Sequence, residues 1–233
     1  MPRPPRRRSY DQYCAAARAL DAVGDRWTLL IVRELLAGPR RYTDLHADLP
    51  GVSTDVLASR LKDMERDGLA LRRRLPAPLS VFVYELTERG AALLPVLAAL
   101  AEWGASELAG PRPTDAVRAH WFAVPLRRCL EAAGAAGVVE VRLPEGVFHM
   151  GVGGAAAPSG PVGGSSGAAV AGTAYGDGPV PGPGPVVRLE LDADTCLAVS
   201  RGSLTLQDGV REGRIKASGE GALANALRGA CGG

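Results

Sequence analysis

The side chains best spaced for chemistry lie between residues 53 and 74. Leu57, Leu61 and Met64 recur at i, i+4 and i+7, which is one apolar stripe of a helix. Asp55, Ala58, Ser59, Lys62 and Arg66 make up the opposite face; Ser53 is a good N-cap ahead of them, and Ser53 and Thr54 are further candidate contacts at the helix start. One face of this helix is therefore packed and the other polar and slim. Hydroxyl, ammonium and guanidinium groups on such a face can bond base edges in a major groove. Arg72, Arg73 and Arg74 follow at once. Consecutive guanidinium groups suit phosphate contact; the plainer reading is a solvated strand edge protected by charge. Phosphate contact is the better reading beside a groove-sized helix. Arg40 and Arg41 complete the set of candidate DNA-binding residues.

Elsewhere the chemistry thins out. Cys14, at the start of the first helix, reads either as a small apolar residue or as a redox-sensing thiol. Cys129, Cys196 and Cys231 form no CxxC pair with it or with each other, so all four read as free thiols of a reducing compartment. His46, His120 and His149 have no ligand-spaced partners, so no metal site is expected. Gly163-Gly164-Ser165-Ser166-Gly167 matches GxSxG, but Gly and Pro flank it where a hydrolase needs a strand and a helix. Gly151, Gly153 and Gly154 precede no Gly-Lys-Ser/Thr and make no phosphate loop. No nucleophile, base and oxyanion-donor set occurs in the second half. No catalytic residue and no cofactor is assigned.

The elements that must position the polar helix can be read around it. A short helix is expected within 11–24, and Gly24 ends it. Residues 26–37, RWTLLIVRELLA, are apolar on nearly every face and belong at the centre of a core. Gly38-Pro39 stops them. A short helix over about 43–49, with Thr43 as its N-cap, leads through a turn into the polar helix, about 54–67. Strands over 69–74 and 81–86 form a hairpin. Thr87 caps a long helix, 88–108, bent by Pro95, with Leu93, Val96, Leu97, Leu100 and Trp103 on its apolar side. Trp27 and Trp103 read as core anchors. This order is that of a winged helix-turn-helix domain with the hairpin as wing.

The organisation expected is α+β in two domains. Residues 1–9 form a basic arm bearing Arg3, Arg6, Arg7 and Arg8, read as a floppy tail rather than a minor-groove reader. Residues 10–110 form the winged helix, 111–113 a linker, and 114–233 a second α+β domain with a small sheet and helices. In 151–185, 18 of 35 residues are Gly or Pro, which reads as a low-complexity insertion. Residues 1–74 carry 15 Lys and Arg against 10 Asp and Glu, while the whole 233-residue chain has a net charge of +2. A basic front half points to a polyanionic partner. No apolar run reaches the ~18 residues of a membrane span, and no signal-peptide core follows the basic start, so a cytoplasmic protein is expected.

From Tyr13 to about Trp103 the chain resembles the HxlR-type branch of the MarR-like winged-helix regulators of bacteria. The carrying runs are CAAARALDAVGDRWTLLIVRELLAGPRRYTDL, LPGVSTDVLASRLKDMERDGL and VYELTERGAALLPVLAALAEWG. The resemblance implies a homodimer built by the terminal helices, a palindromic double-stranded DNA operator, and Ser53–Arg66 as recognition helix. Asp55 departs from the neutral or basic residue expected there. In some members a cysteine at the place of Cys14 senses oxidants. The stretch LELDADTCLAVSRGSLTLQDGVREGRIKASGEGALANAL is similar to the sterol-carrier-type lipid-binding domain, which implies a pocket for an apolar small molecule. The rival readings are an enzyme, or a protein-interaction module, carrying a winged-helix appendage.

Overall fold

The computed structural model describes residues 9–108, 110, 112–158 and 174–229. The arginines of the N-terminal arm, the GxSxG match at 163–167 and Cys231 lie outside the described residues.

The fold is α+β, a winged helix followed by a second unit of helices on a mixed sheet. The first unit begins with α1 (Ala15–Val23), α2 (Thr28–Leu36), α3 (Tyr42–Asp48) and α4 (Thr54–Arg66). The antiparallel wing strands β1 (Ala70–Arg74) and β2 (Phe82–Leu86) come next. The apolar helix α2 is central, with Ile31, Val32, Leu35 and Leu36 all buried. Two details differ from the sequence reading. The N-cap of α3 is Arg41, whose backbone N–H donates to the Asp44 carboxylate at 3.3 Å, rather than Thr43. The long final helix is broken, not bent, into α5 (Glu88–Ala91) and α6 (Leu94–Gly104). Pro95 sits in the first turn of α6, where its missing N–H has no intrahelical partner to lose.

Trp103 is also not a core anchor. It is 77 % exposed, in one stripe with Val96 and Leu100, while Leu97 turns into the core. Trp27 does pack against the core.

The second unit has α7 (Ala123–Glu131) behind a 3-10 turn at Ala119–Phe122. Its sheet runs in the order β5 (Gly176–Asp177), β4 (Gly146–Val152), β3 (Gly137–Leu143), β6 (Val186–Glu190), β7 (Lys216–Ser218). Only β3 and β6 are parallel. Val139, Val141, Phe148, Met150, Val187 and Leu189 form the apolar face. They share a core with residues of α7, α8 (Ala193–Ser200) and α10 (Ala222–Arg228); a short α9 (Leu206–Arg211) lies between the last two. The opposite face holds buried Glu140 and His149. The Val180 N–H donates to Glu140 at 2.9 Å, and the His149 ring nitrogens lie 2.9 and 2.8 Å from the carbonyl oxygens of Gly178 and Pro158. Parts of the Gly/Pro-rich insertion thus cover that face.

The two units meet around a charge. Glu34 of α2 has no exposed surface. Its carboxylate accepts from Arg33 at 2.8 Å, from the Trp121 indole N–H at 2.9 Å, and lies 2.6 Å from His120 Nε2. His120 Nδ1 is 3.5 Å from Asp177, which also pairs with Arg40 at 3.0 Å. Burial opposes protonation of His120, but Asp177 and Glu34 outweigh it and raise its pKa to about 9. Burial likewise pushes Asp177 up; His120 and Arg40 outweigh it and lower the pKa to about 2.

These directions fix the pH response. The raised His120 value contributes stability that is full below about 6.5, its unfolded pKa, and is lost as pH rises through about 9. The lowered Asp177 value contributes stability that is full above 3.8 and is lost as pH falls toward about 2. Urea unfolding of wild type should therefore weaken between pH 6.5 and 9.5 relative to His120→Gln, by a difference on the order of 2–3 kcal/mol. Parallel pH curves for the two proteins would refute the charged pair.

Candidate nucleic-acid interface

Helix α4 is presented by its buried side. Leu57, Leu61 and Met64 are buried, and Ser53 caps the helix by accepting from the Val56 N–H at 3.3 Å. Two further contacts orient it. The Tyr42 hydroxyl of α3 donates to the Thr54 carbonyl at 2.7 Å. Arg60 reaches Asp25 at 3.1 Å and Asp63 at 3.0 Å, which ties α4 to the chain between α1 and α2. Ser53, Thr54, Asp55, Ser59, Lys62 and Arg66 are exposed and Ala58 is half-buried. On a helical wheel Asp55, Ser59, Lys62 and Arg66 point directly away from the core. Arg66 pairs with Asp63 at 2.7 Å, and this hydrogen bond to a carboxylate raises its already high pKa. Among the described residues Lys62 has no ion pair, so its ammonium is free to meet an anion.

Val56 was missed by the sequence reading. It is 38 % exposed on the flank of the polar face, in the first turn of α4. Its position outside the 57, 61, 64 stripe was the available signal. An aliphatic group there suits a thymine methyl.

The three wing arginines do not behave alike. Arg74 is exposed with no ion pair among the described residues. Arg72 lies over the Phe82 ring, 4.0 Å from its centroid. Arg73 grips the Glu85 carboxylate with two nitrogens, at 3.0 and 2.8 Å. Arg41 is half-buried at the start of α3. Arg40 turns inward to Asp177 and, at 3.6 Å, to Asp48. Its guanidinium is thus held at the junction of the two units and not on the surface that carries Lys62.

Cys14 is exposed and is the N-cap residue of α1, with no capping hydrogen bond from its side chain. Cys129 is half-buried, and burial raises its thiol pKa; Cys196 is fully buried and raised further by the same cause. Glu34, Asp48 and His120 bring possible ligand atoms within 4.8 Å of one another. Arg33, Arg40 and Arg118 already neutralise those carboxylates, so a divalent ion would enter as an uncompensated charge. Between α6 and α7 lies a hollow of about 400 Å³, lined by Leu94, Ala98, Ala101, Val124 and Pro125, with Arg128 at its rim. No helix of the described residues is long and apolar enough to cross a membrane.

The comparisons with known proteins fall on the first unit. The family model described as HxlR-like helix-turn-helix matches residues 22–110. The uncharacterized HTH-type transcriptional regulator YvaP of Bacillus subtilis (strain 168) is 38% identical over 86 residues, which are 37% of this chain and 80% of that protein. The HTH-type transcriptional regulator YodB of the same organism is 35% identical over 85 residues, 36% of this chain and 76% of that protein. The solved reduced form of YodB from B. subtilis is 30% identical with a TM-score of 0.38, covering 43% of this chain and 100% of that chain. The family match ends at residue 110, so the second sheet lies outside it. By the coverage and identity of these relatives, the chain belongs to the HxlR-like helix-turn-helix family.

Proposed function

We propose that the chain is a transcriptional regulator that binds an operator in double-stranded DNA as a homodimer. The observation that carries this reading is α4, whose exposed face holds Asp55, Ser59 and a Lys62 with no ion pair among the described residues, over a fully buried stripe. Arg66 shares this face, Ala58 flanks it and Thr54 opens the helix beside it, while Arg74, Arg72 and Arg41 would serve phosphates. Arg73, committed to Glu85, serves only by exchanging that carboxylate for a phosphate.

The dimer reading is supported by apolar surface left exposed among the described residues. Val96, Leu100 and Trp103 of α6 are exposed, as are Tyr10, Tyr13 and Leu20 around α1. Leaving such groups in water is unfavourable by ~25 cal/mol per Å², and a second copy would cover them. The operator is then a palindrome with half-sites about one helical turn apart.

Two modes of control are compatible with the fold. A small apolar ligand, which the lipid-binding likeness puts within residues 114–233, would instead occupy the hollow between α6 of the first unit and α7 of the second. There it would lean on the helix that also carries Trp103. Thiol oxidation at Cys14 is favoured by its exposure.

Three experiments check these statements. Wild type should sediment as a dimer and protect a palindromic duplex, and Lys62→Ala or Ser59→Ala should weaken that binding by ~1–3 kcal/mol; a monomer with no sequence preference at low salt would end the proposal. Peroxide should change operator affinity in wild type and leave Cys14→Ser unaffected; an equal response in both would remove Cys14 from the mechanism. A medium-chain fatty acid should raise the melting temperature of the full chain, and Ala98→Trp, which fills the hollow, should abolish the shift. A shift that survives this substitution would move the ligand elsewhere.

A further inference from the structure

The charge network at the junction does more than bury ions. It grips α3, the helix that leads into α4, at both ends. At the N-terminal end is Arg40. Its backbone is bonded both ways to Tyr84 of the wing, at 2.9 and 2.8 Å. Its guanidinium meets Asp177 of β5 in the second unit at 3.0 Å. At the C-terminal end is Asp48, the last residue of α3. It lies 3.5 Å from the Arg118 guanidinium, which also donates to the Ala47 carbonyl at 3.5 Å. Arg118 and Asp177 both belong to the second unit, beyond the family match.

The same strand end is itself anchored on α2. Tyr175 is buried, its hydroxyl donates to the Arg33 carbonyl at 2.5 Å, and the Ala174 N–H donates to the Leu36 carbonyl at 3.0 Å. Asp177 is therefore fixed relative to α2, and through Arg40 it fixes where α3 begins. Because Tyr42 of α3 holds the first turn of α4, any displacement of α3 reaches the polar face. The groups facing Asp177 are His120 and Arg40, and those facing Asp48 are Arg40 and Arg118.

We infer that Asp177 and Arg118 are positioning residues for the DNA-reading helix, so that the second unit sets operator affinity by holding α3 at its two ends. This rests on the DNA-binding reading above. A coupling carried by such a charge network falls in the range of about 5- to 150-fold.

The test uses the full chain and the duplex that wild type selects from a random pool. Asp177→Asn and Arg40→Gln should each weaken binding to that duplex about tenfold. The double variant should lose less than the two singles summed, because both changes break the Arg40–Asp177 contact. Asp177→Glu should restore part of the loss. Arg118→Gln, which leaves the Arg40–Asp177 contact intact, should give a smaller loss in the same direction and keeps the test open if the other variants fail to fold. The salt dependence should stay that of wild type throughout, since none of these groups meets phosphate. Lower melting temperatures with affinity unchanged within twofold would make the network a plain scaffold and overturn the inference. So would an Arg40→Gln loss with a flatter salt slope while Asp177→Asn binds as tightly as wild type; Arg40 would then be a phosphate contact. If wild type selects no duplex, the DNA-binding reading has failed first. Selection by wild type with unchanged variants is the failure of this inference alone.

Discussion

A carboxylate with no exposed surface sits in the central helix of the winged unit, and much of the molecule is arranged to keep it charged. Glu34 can stay ionised there only with donors on every side. Arg33 supplies one from the same helix; His120 and Trp121 supply the others from the second unit. Burial opposes the ionised form, yet the His120 and Arg33 partners hold its pKa below the usual value. Removing one partner of such a group costs far more than the intact pair contributes. The second unit is thus fastened to the first by an electrostatic requirement as well as by area. His120 in turn brings Asp177 to Arg40, and the network arrives at α3.

The functional surface follows from packing under that constraint. α2 fills the centre, α3 and α4 lean on it, and the buried stripe of α4 leaves a single outward face. Its polarity is mixed: Lys62 attracts phosphate or a base acceptor, while Asp55 repels phosphate and can accept from a cytosine amine. On the proposed DNA-binding reading this combination would trade general affinity for selectivity. Arg60 and Arg66, tied to Asp25 and Asp63, stiffen the helix more than they add free positive charge. α6 serves several surfaces at once. Leu97 faces the core, Val96, Leu100 and Trp103 face outward, and Leu94, Ala98 and Ala101 line the hollow against α7.

What could be read in the sequence was what repeats over a few residues. The cap at Ser53, the 57, 61, 64 stripe, the cap at Thr87 and the wing hairpin all appear where the pattern put them. The break before α6 was read as a bend because Pro95 is compatible with a kink or with a first turn, and only tertiary packing separates the two. Trp103 read as core because an amphipathic stripe does not say whether its partner is the same chain or another surface. Arg40 read as surface because its partner Asp177 is 137 residues away, and no local period reports such a pairing. Tyr175 and Asp177 were hidden by composition, as two anchoring side chains within a run of Gly and Pro. The hollow between α6 and α7 is a gap between units and has no sequence signature.

On the proposed function the outward face of α4 lies in a major groove. Photo-cross-linking from a benzophenone placed at position 59, with wild-type protein as the footprinting reference, tests it directly. A helix seated in the groove should give cross-links to bases, not only sugars, at two symmetric places about one helical turn apart within the protected duplex. Protection of the duplex without any cross-link from position 59, or cross-links to one strand end with no symmetry, would contradict it.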